Sequence, residues 1–443
     1  MRLIIKNATI VNEGKSFKSE VLIEGKFIKK IASKIEAKAE KIINANGLHL
    51  IPGIIDDQVH FREPGLTHKA DIYTESKAAV AGGITSFMEM PNTKPQTLTQ
   101  KLLEEKFKIG DQNSLANFTF FMGASNKNLN EVLSTDPKNV GAIKIFMGSS
   151  TGDMLVNDRG VLEEIFKKSK CLIAVHCEDE KIIQENTKKA KEQYGDKIPI
   201  RLHPEIRNEQ ACYNSSSLAV SLAKQHNTRL HVFHLSTEKE IHLFSNKIPL
   251  NKKRITSEVC IHHLFFNSTD YEKKGTLIKW NPAIKEKSDQ EALLKALIEN
   301  KIDVIATDHA PHTIQEKNNT YLNAPSGGPL VQHALGVMLK FVKNKKISIE
   351  QVVEKMCHNP AICFKIHQRG FIRENYYADL VLVDLQKEYK VTKESILSKC
   401  KWSPFEGETL NGKITHTIIN GHIACQNGNF DESKKGMRLV FDR

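Results

Sequence analysis

The segment IIDDQVH at residues 54–60 is a short apolar run that ends in an imidazole side chain. A run of this length, placed directly after Pro52-Gly53, is typical of a buried β-strand. Comparable runs recur along the middle of the chain. Together they predict eight strands, over residues 54–60, 84–90, 118–122, 142–147, 172–176, 230–234, 255–260 and 304–308.

Helix signals alternate with these strands. Residues 71–81 precede Gly82-Gly83 and predict one helix, and Ser288–Glu291 resemble a capping box that starts a second helix over residues 292–298. Eight strand and helix units favour an α/β fold, a closed (β/α)8 barrel of the TIM type. The alternative, an open doubly wound sheet, would carry a GxGxxG phosphate loop after its first strand, and the sequence has none there.

The two ends of the chain differ from the middle, because both consist of short alternating stretches separated by turn signals such as Asn420-Gly421 and Asn427-Gly428. They predict a small β-sandwich domain built from both chain ends. We therefore expect residues 1–50 and 368–443 to form the two parts of the sandwich, and residues 51–367 to form the barrel. The predicted strands at the two ends cover residues 3–5, 21–23, 27–31, 378–383, 415–419 and 422–425.

Composition excludes several classes of protein. With 40% hydrophobic and 26% charged residues, the chain is typical of a globular protein with a sizeable core. Neither a signal peptide nor an apolar run of about 18 to 20 residues is present, so we expect a cytoplasmic protein without a membrane partner. The eight cysteines form no CxxC pair, which argues against a disulfide framework and a thiolate zinc site. The net charge of +12 comes from lysines spread thinly along the chain, which predicts solvated faces and no nucleic-acid partner.

Five polar residues stand on or at the ends of the predicted strands: His60, Lys144, His176, His234 and Asp308. Strand ends meet at one mouth of a barrel, and imidazole and carboxylate groups are natural ligands of zinc and similar metals. One histidine at a strand end is commonly structural, but several at the same mouth favour a metal site. A bound metal lowers the pKa of its water from roughly 15.7 to about 7, and Asp308 could move the proton of that water.

The segment from Pro52 to Gly65 resembles the opening signature of the dihydroorotase family, which belongs to the amidohydrolases. Further matching segments follow in the family order over nearly the whole chain. This resemblance implies a hydrolase for cyclic amides that converts N-carbamoyl-L-aspartate reversibly to L-dihydroorotate and water in pyrimidine biosynthesis. The other matching segments are residues 90–93, 175–179, 233–237, 280–282, 306–312, 378–384 and 403–405.

The same resemblance implies one or two zinc ions per chain. His60 and Asp308 would bind one ion, His176 and His234 would bind the other, and a carboxylate would bridge them. Lys144 is placed like the N6-carboxylated lysine that supplies this bridge in related enzymes, since modification turns its cation into an anionic ligand. An unmodified lysine is the alternative.

One position departs from the family pattern. The family has His-x-His after the first strand, whereas this chain has Gln58 before Val59 and His60. An amide oxygen is a poorer zinc ligand than an imidazole, so the sequence allows a site with a single metal ion. The alternative is that Gln58 is tolerated outside the ligand set and two ions still bind.

Substrate recognition is predicted from the same resemblance. A free carboxylate of the substrate needs a positively charged group with two parallel N–H donors, and the guanidinium of Arg62 is such a group. The resemblance implies that Arg62, Asn92 and His312 hold this carboxylate and that Asn281 reaches the ring or ureido group. Asn92 and Asn281 each adjoin a proline and could instead serve a turn.

Two other functions stay open at this point. A hydantoinase, dihydropyrimidinase or allantoinase would share the metal chemistry without needing Arg62 for a carboxylate. A non-catalytic homologue could act as a structural partner of another enzyme, and Gln58 is the residue that favours it. A small molecule is the expected partner, together with a possible homodimer. His262 and His263 are interpreted as structural.

Overall fold

The structure is a computed structural model that describes residues 2–148 and 152–443. The strands of these residues are β1 (Arg2–Asn12), β2 (Lys15–Glu24), β3 (Phe27–Ala32), β4 (Lys41–Asn44), β5 (His49–Pro52), β6 (Ile54–Val59), β7 (Ile84–Glu89), β8 (Asn117–Phe120), β9 (Met122–Gly123), β10 (Ile143–Phe146), β11 (Ile173–His176), β12 (Leu230–Val232), β13 (Ile255–Cys260), β14 (Val304–Ala306), β15 (Leu380–Lys390), β16 (Thr409–Ile419), β17 (His422–Gln426) and β18 (Asn429–Phe430).

The α-helices of the same residues alternate with the middle strands. They are α1 (Ile72–Ala81), α2 (Gln100–Asn113), α3 (Leu129–Leu133), α4 (Arg159–Lys168), α5 (Glu180–Tyr194), α6 (His203–Ile206), α7 (Glu209–Gln225), α8 (Glu238–Ile241), α9 (Ile261–Phe265), α10 (Tyr271–Lys274), α11 (Lys287–Ile298), α12 (Ile314–Lys317), α13 (Ala334–Lys343), α14 (Ile349–Val353) and α15 (Asn359–Phe364).

The middle strands close into a barrel. Strands β6, β7 and β8 pair in parallel, and β9 to β14 pair in parallel in sequence order. Only Phe121 separates β8 from β9, so these two form one barrel strand. A parallel bridge between Val59 and His309 joins the first strand to the last. The predicted eight-stranded barrel, and with it the predicted fold class, is confirmed.

Alternate residues of the barrel strands face two different cores. Val175 and Ile173 pack into the large cluster beneath the helices, whereas Ala174 packs inside the barrel with Phe121 and Phe233. This alternation follows from the two-residue period of a strand. The apolar layer closes the lower end of the barrel, so polar side chains collect at the C-terminal mouth.

The two predicted helices have different outcomes. Helix α1 begins after Asp71, whose side chain accepts the backbone N–H of Thr74, and it ends at Gly82, as predicted. Helix α11 begins at Lys287, one residue before Ser288, and its N-cap Glu286 makes no side-chain capping bond. The predicted capping box is therefore wrong, because the helix begins one residue earlier and Ser288 lies inside its first turn.

The two chain ends share one nine-stranded sheet, in the order β18-β17-β16-β15-β5-β1-β2-β3 with β4 beside β1. Leu50 and Leu382 face a core of the sheet's own, while Ile51 and Val383 face the barrel. The sheet therefore has an apolar core of its own and a second apolar face against the barrel. The exact domain boundaries at residues 50 and 367 remain predictions.

Neither a membrane span nor a disulfide appears in the part of the chain that the structure describes. No helix among residues 2–148 and 152–443 is both long and apolar enough to cross a bilayer. All eight cysteines are free thiols and seven of them are buried. Their scattered spacing had predicted that no disulfide framework would form.

Candidate active site

A cavity of about 410 Å³ opens at the C-terminal mouth of the barrel. Every site residue predicted from the sequence contributes to its wall. The structure thus brings together side chains that are separated by up to 252 positions, from residue 60 to residue 312. The predicted residues in the wall are His60, Arg62, Asn92, Lys144, His176, His234, Asn281, Asp308 and His312.

We call the part of the wall formed by His60, Lys144, His176, His234 and Asp308 the metal end. His176 Nδ1 lies 3.0 Å from His234 Nε2, and His60 Nε2 lies 3.2 Å from Asp308 Oδ1. Two imidazole nitrogens on one tetrahedral zinc ion would be about 3.3 Å apart, given the usual Zn–N bond lengths. These two pairs therefore have the spacing that metal ligands require.

The protonation of the ligand rings also suits a metal. His60 Nδ1 donates to Asn92 Oδ1 at 2.8 Å, and His176 Nε2 donates to Glu178 Oε2 at 2.9 Å. Each bond holds the ring proton on that nitrogen and leaves the lone pair of the other nitrogen for a metal. Burial lowers the pKa of His60, His176 and His234, which keeps these rings neutral.

Glu178 is a functional candidate that the sequence reasoning did not single out, although it lies in the matching segment 175–179. Its side chain is fully buried and pairs with Arg207 at 3.1 Å. Burial disfavours the charged carboxylate, but Arg207 and His176 outweigh this effect and lower the pKa of Glu178 to about 2. Glu178 is thus an anion that orients His176.

Lys144 is buried between two aromatic rings. Its Nζ lies 4.1 Å from the ring centroid of Phe233 and 4.8 Å from that of Phe146. No carboxylate among residues 2–148 and 152–443 forms a salt bridge with it, and burial lowers the pKa of Lys144 to about 8. A lysine that loses its proton this readily is suited to chemical modification.

Gln58, the departure from the family pattern, also lines the cavity. Its side chain is buried, and its Oε1 lies 3.6 Å from Cys260 Sγ. The single proton of this thiol has a nearer acceptor in Glu258 Oε1 at 3.3 Å.

A buried group of ionisable side chains lies below the metal end and was not predicted. His231 Nε2 is 3.2 Å from Asp57 Oδ2 and 3.7 Å from Glu258 Oε2. Burial lowers the pKa of His231, but its two carboxylate neighbours outweigh this effect and raise it to about 9. Glu258 Oε1 also accepts the backbone N–H of His234 at 3.1 Å. The group therefore supports the backbone that carries one predicted ligand.

Asp57, His231 and Glu258 bring potential ligand atoms within 4.8 Å of one another, as do Cys260, His262 and His263. His262 stacks on Trp280 at 4.6 Å, and His263 Nε2 donates to the carbonyl oxygen of Pro282 at 3.1 Å. Both contacts agree with the structural role expected for the two histidines.

We call the opposite part of the wall, formed by Arg62, Lys69, Asn281, His312 and Ser326, the carboxylate end. Arg62 Nη2 lies 2.9 Å from His312 Nε2, and Lys69 Nζ lies 2.9 Å from His312 Nδ1. Burial and the two cations lower the pKa of His312 far below its usual value, so this ring is neutral. Lys69 was not predicted, because nothing in its local sequence places it beside His312.

Three site residues have left-handed backbone conformations, with φ of 71° at Arg62, 39° at His234 and 49° at Asp308. Such conformations are unfavourable for residues other than glycine and cluster at functional sites. Here they turn the chain directly after a strand and direct the side chains into the cavity.

Comparison with known proteins agrees with this geometry. The model of the amidohydrolase family matches residues 49–424. A dihydroorotase of Carboxydothermus hydrogenoformans is 35% identical over 436 residues, which covers 96% of this chain and 98% of that protein. A dihydroorotase of Methanosphaera stadtmanae is 32% identical and covers 92% and 93% of the two chains.

Among solved structures, an L-hydantoinase (dihydropyrimidinase) from Arthrobacter aurescens superposes with a TM-score of 0.91. It is 27% identical to this chain, and the match covers 97% of each chain. A dihydropyrimidinase from Brevibacillus agri has a TM-score of 0.89 at 24% identity, which supports the fold alone.

Proposed function

The chain belongs to the amidohydrolase family and, within it, to the dihydroorotases, and from this premise we propose that it interconverts N-carbamoyl-L-aspartate and L-dihydroorotate. It is a hydrolase that acts on cyclic amides. The observation that carries the substrate assignment is that one cavity contains both the metal end and the carboxylate end. A substrate with a scissile amide and a free carboxylate needs both.

The residues at the metal end fit a zinc site. His60 and Asp308 would hold one ion, His176 and His234 would hold another, and Lys144, once N6-carboxylated, would bridge them. The converging ligand atoms and the neutral rings support this assignment. When bound, the metal polarises the amide carbonyl and activates a water molecule.

The side chains perform the remaining steps of ring opening. The Asp308 carboxylate accepts a proton from the attacking water and passes it to the leaving nitrogen as the cyclic C–N bond breaks. The water oxygen becomes part of the new carboxyl group, which releases the second proton of the water to solvent and so becomes a carboxylate. In the reverse direction, Asp308 moves the proton back and water is released.

The carboxylate end orients the substrate. Arg62, Asn92 and His312 would hold the free carboxylate, and Asn281 would reach the ring or ureido group. Arg62 Nε donates to the carbonyl oxygen of Pro311 at 2.9 Å, which fixes the guanidinium in place. Asn92 has an additional role, since its Oδ1 also orients His60.

Gln58 favours a single firmly held zinc ion at His176, His234 and Lys144. Its amide oxygen is a weaker ligand for zinc than an imidazole nitrogen, so the ion at His60 would be bound less tightly. Two fully occupied sites are the alternative. Metal analysis of the purified protein distinguishes the two, with about one zinc ion per chain expected.

Hydantoinase or dihydropyrimidinase activity is the second candidate, because the L-hydantoinase of Arthrobacter aurescens has the same fold over 97% of both chains. An allantoinase would share this chemistry. The carboxylate end argues for dihydroorotase activity, since an uncharged cyclic amide would offer no carboxylate to the guanidinium of Arg62.

A substrate panel tests the assignment. Zinc-loaded protein is incubated with dihydroorotate, dihydrouracil, hydantoin and allantoin, and ring opening is followed for each. We expect dihydroorotate to be the preferred substrate by a wide margin. Faster turnover of an uncharged substrate would favour the second candidate. Metal-free protein that is inert towards all four, yet binds another enzyme, would indicate a structural partner. The proposal includes cytoplasmic localisation and a possible homodimer.

A further inference from the structure

Two buried lysines lie behind the carboxylate end. The exposed fraction of the side chain is 8% for Lys279 and 0% for Lys317. Both ammonium groups donate to backbone carbonyl oxygens of residues 321–328, a segment that we call the clamped loop. The acceptors are the carbonyl oxygens of Tyr321 at 2.5 Å and Ala324 at 2.6 Å for Lys279, and of Pro325 at 2.9 Å and Gly327 at 2.8 Å for Lys317.

The two lysines are also connected to each other. Lys317 Nζ donates to the carbonyl oxygen of Lys279 at 3.3 Å, and the N–H of Gly327 donates to the same oxygen at 2.8 Å. In the described part of the chain, neither ammonium group forms a salt bridge with a carboxylate. Buried lysines are rare unless they are paired with an anion. This pair instead contacts carbonyl oxygens and aromatic rings, since Lys279 Nζ lies 4.5 Å from the ring centroid of Tyr321 and Lys317 Nζ lies 5.7 Å from that of Trp280. Burial lowers the pKa of both lysines, so their hydrogen bonds, and not a standing charge, are what they supply to the loop.

The clamped loop forms part of the cavity wall. The carbonyl oxygen of Ser326 lies 3.0 Å from His312 Nε2, and the hydroxyl group of Ser326 donates to Asn281 Oδ1 at 2.9 Å. The position of the loop therefore determines how His312 and Asn281 face the substrate.

Packing holds the other side of the clamped loop. Gly327 has a φ of 123°, and a Cβ there would lie 2.6 Å from the carbonyl oxygen of Ala310. A Cβ on Gly328 would lie 2.7 Å from the ring of Trp280. Only glycine fits at these two positions. The loop therefore packs closely against Ala310 and Trp280 on one side and accepts hydrogen bonds from the two lysines on the other.

We propose that Lys279 and Lys317 are positioning residues that hold the clamped loop against the cavity and make the carboxylate end selective for an anionic substrate. This inference rests on the proposed function. The two lysines act through the loop, because their hydrogen bonds to its carbonyl oxygens fix Ser326 beside His312 and Asn281.

The test is the Lys317→Met variant, which keeps the side-chain length and removes the charge and its hydrogen bonds. The matched control is Lys355→Met. Lys355 is equally buried and donates to Asn300 Oδ1 at 2.7 Å and to the carbonyl oxygen of Ile302 at 3.0 Å, at the opposite end of the barrel. Thermal unfolding of both variants shows whether they lose comparable stability.

We expect Lys317→Met to raise the KM for dihydroorotate by about 10- to 100-fold while kcat changes by less than about threefold. Lys355→Met should keep the parental KM even where its Tm falls. A parental KM in folded Lys317→Met, or an equal rise in KM in Lys355→Met, would overturn the inference. If Lys317→Met does not fold, Lys279→Met provides the same comparison.

Failure of the inference differs from failure of the proposed function. If the parental protein does not open dihydroorotate at all, the proposed function is wrong. If the parental protein is active, and both Lys317→Met and Lys279→Met bind dihydroorotate with the parental affinity in calorimetry, only the role of these two lysines is wrong.

Discussion

The metal end and the carboxylate end of the cavity are built differently. At the metal end, the predicted ligands stand on barrel strands or directly after them, and hydrogen-bond acceptors hold the rings of His60 and His176. At the carboxylate end, most of the side chains stand on loops that are held by lysine side chains. Under the proposed function, strands would fix the chemistry and loops would fix the choice of substrate. Substitutions at the two ends should therefore separate kcat from KM.

The largest effect is expected at the metal end, for Asp308→Asn. The amide keeps an oxygen near His60 but cannot accept the proton of the attacking water, so kcat should fall about 10³- to 10⁴-fold. Zinc content should stay near the parental value, as measured by metal analysis. Near-normal turnover in this variant would exclude Asp308 as the proton carrier.

The next effect belongs to the carboxylate end. Arg62→Met removes a charged donor, which is worth about 1.5 to 3 kcal/mol, so KM for dihydroorotate should rise about 10- to 150-fold. The kcat value should change much less. Arg201→Met, at an exposed position, is the control. A fall in kcat with an unchanged KM would contradict the division between the two ends.

A smaller effect is expected for Glu178→Gln, which replaces the anion that orients His176. Zinc affinity should fall about 10- to 100-fold, as is usual when such a supporting carboxylate is lost. Chelator titration measures this change. Glu240→Gln is the matched control, since Glu240 is equally buried but accepts from Ser216 at 2.6 Å. Equal loss of zinc in both variants would mean that the effect is general destabilisation.

The smallest change in rate is expected for Gln58→His, which restores the His-x-His pattern of the family. Zinc content should rise from about one towards two ions per chain, because imidazole is the better ligand, while kcat should change by less than about tenfold. Two ions per chain in the parental protein would show that Gln58 does not limit metal binding.

Much of the fold could be predicted from the sequence, because strands and caps depend on local patterns. All eight barrel strands were predicted, and so was a helix over residues 71–81, of which Asp71 proved to be the N-cap. The start of α11 was not, because the helix begins at Lys287 and Ser288 lies inside its first turn instead of capping it. A local motif at a helix start does not by itself fix the first residue.

The candidate site shows the same division. The metal-end residues were predicted because each stands in or directly after an apolar strand, a pattern that is visible in one segment at a time. Glu178, Lys69 and the lysines behind the clamped loop were missed, since their roles depend on partners that are distant in the sequence. Lys317 has no local feature that distinguishes it from a surface lysine.

The sequence by itself determined the order of strands and helices, the residues that end each strand, and the family. Those properties depend on periodicity and residue type, which act between near neighbours. Only the tertiary structure decided which ring nitrogen of His176 faces His234, that Glu178 orients His176, and that two buried lysines bond to the loop behind the carboxylate end. These contacts form when the barrel closes and the loops pack across its mouth, so they depend on distances in space that no local pattern encodes.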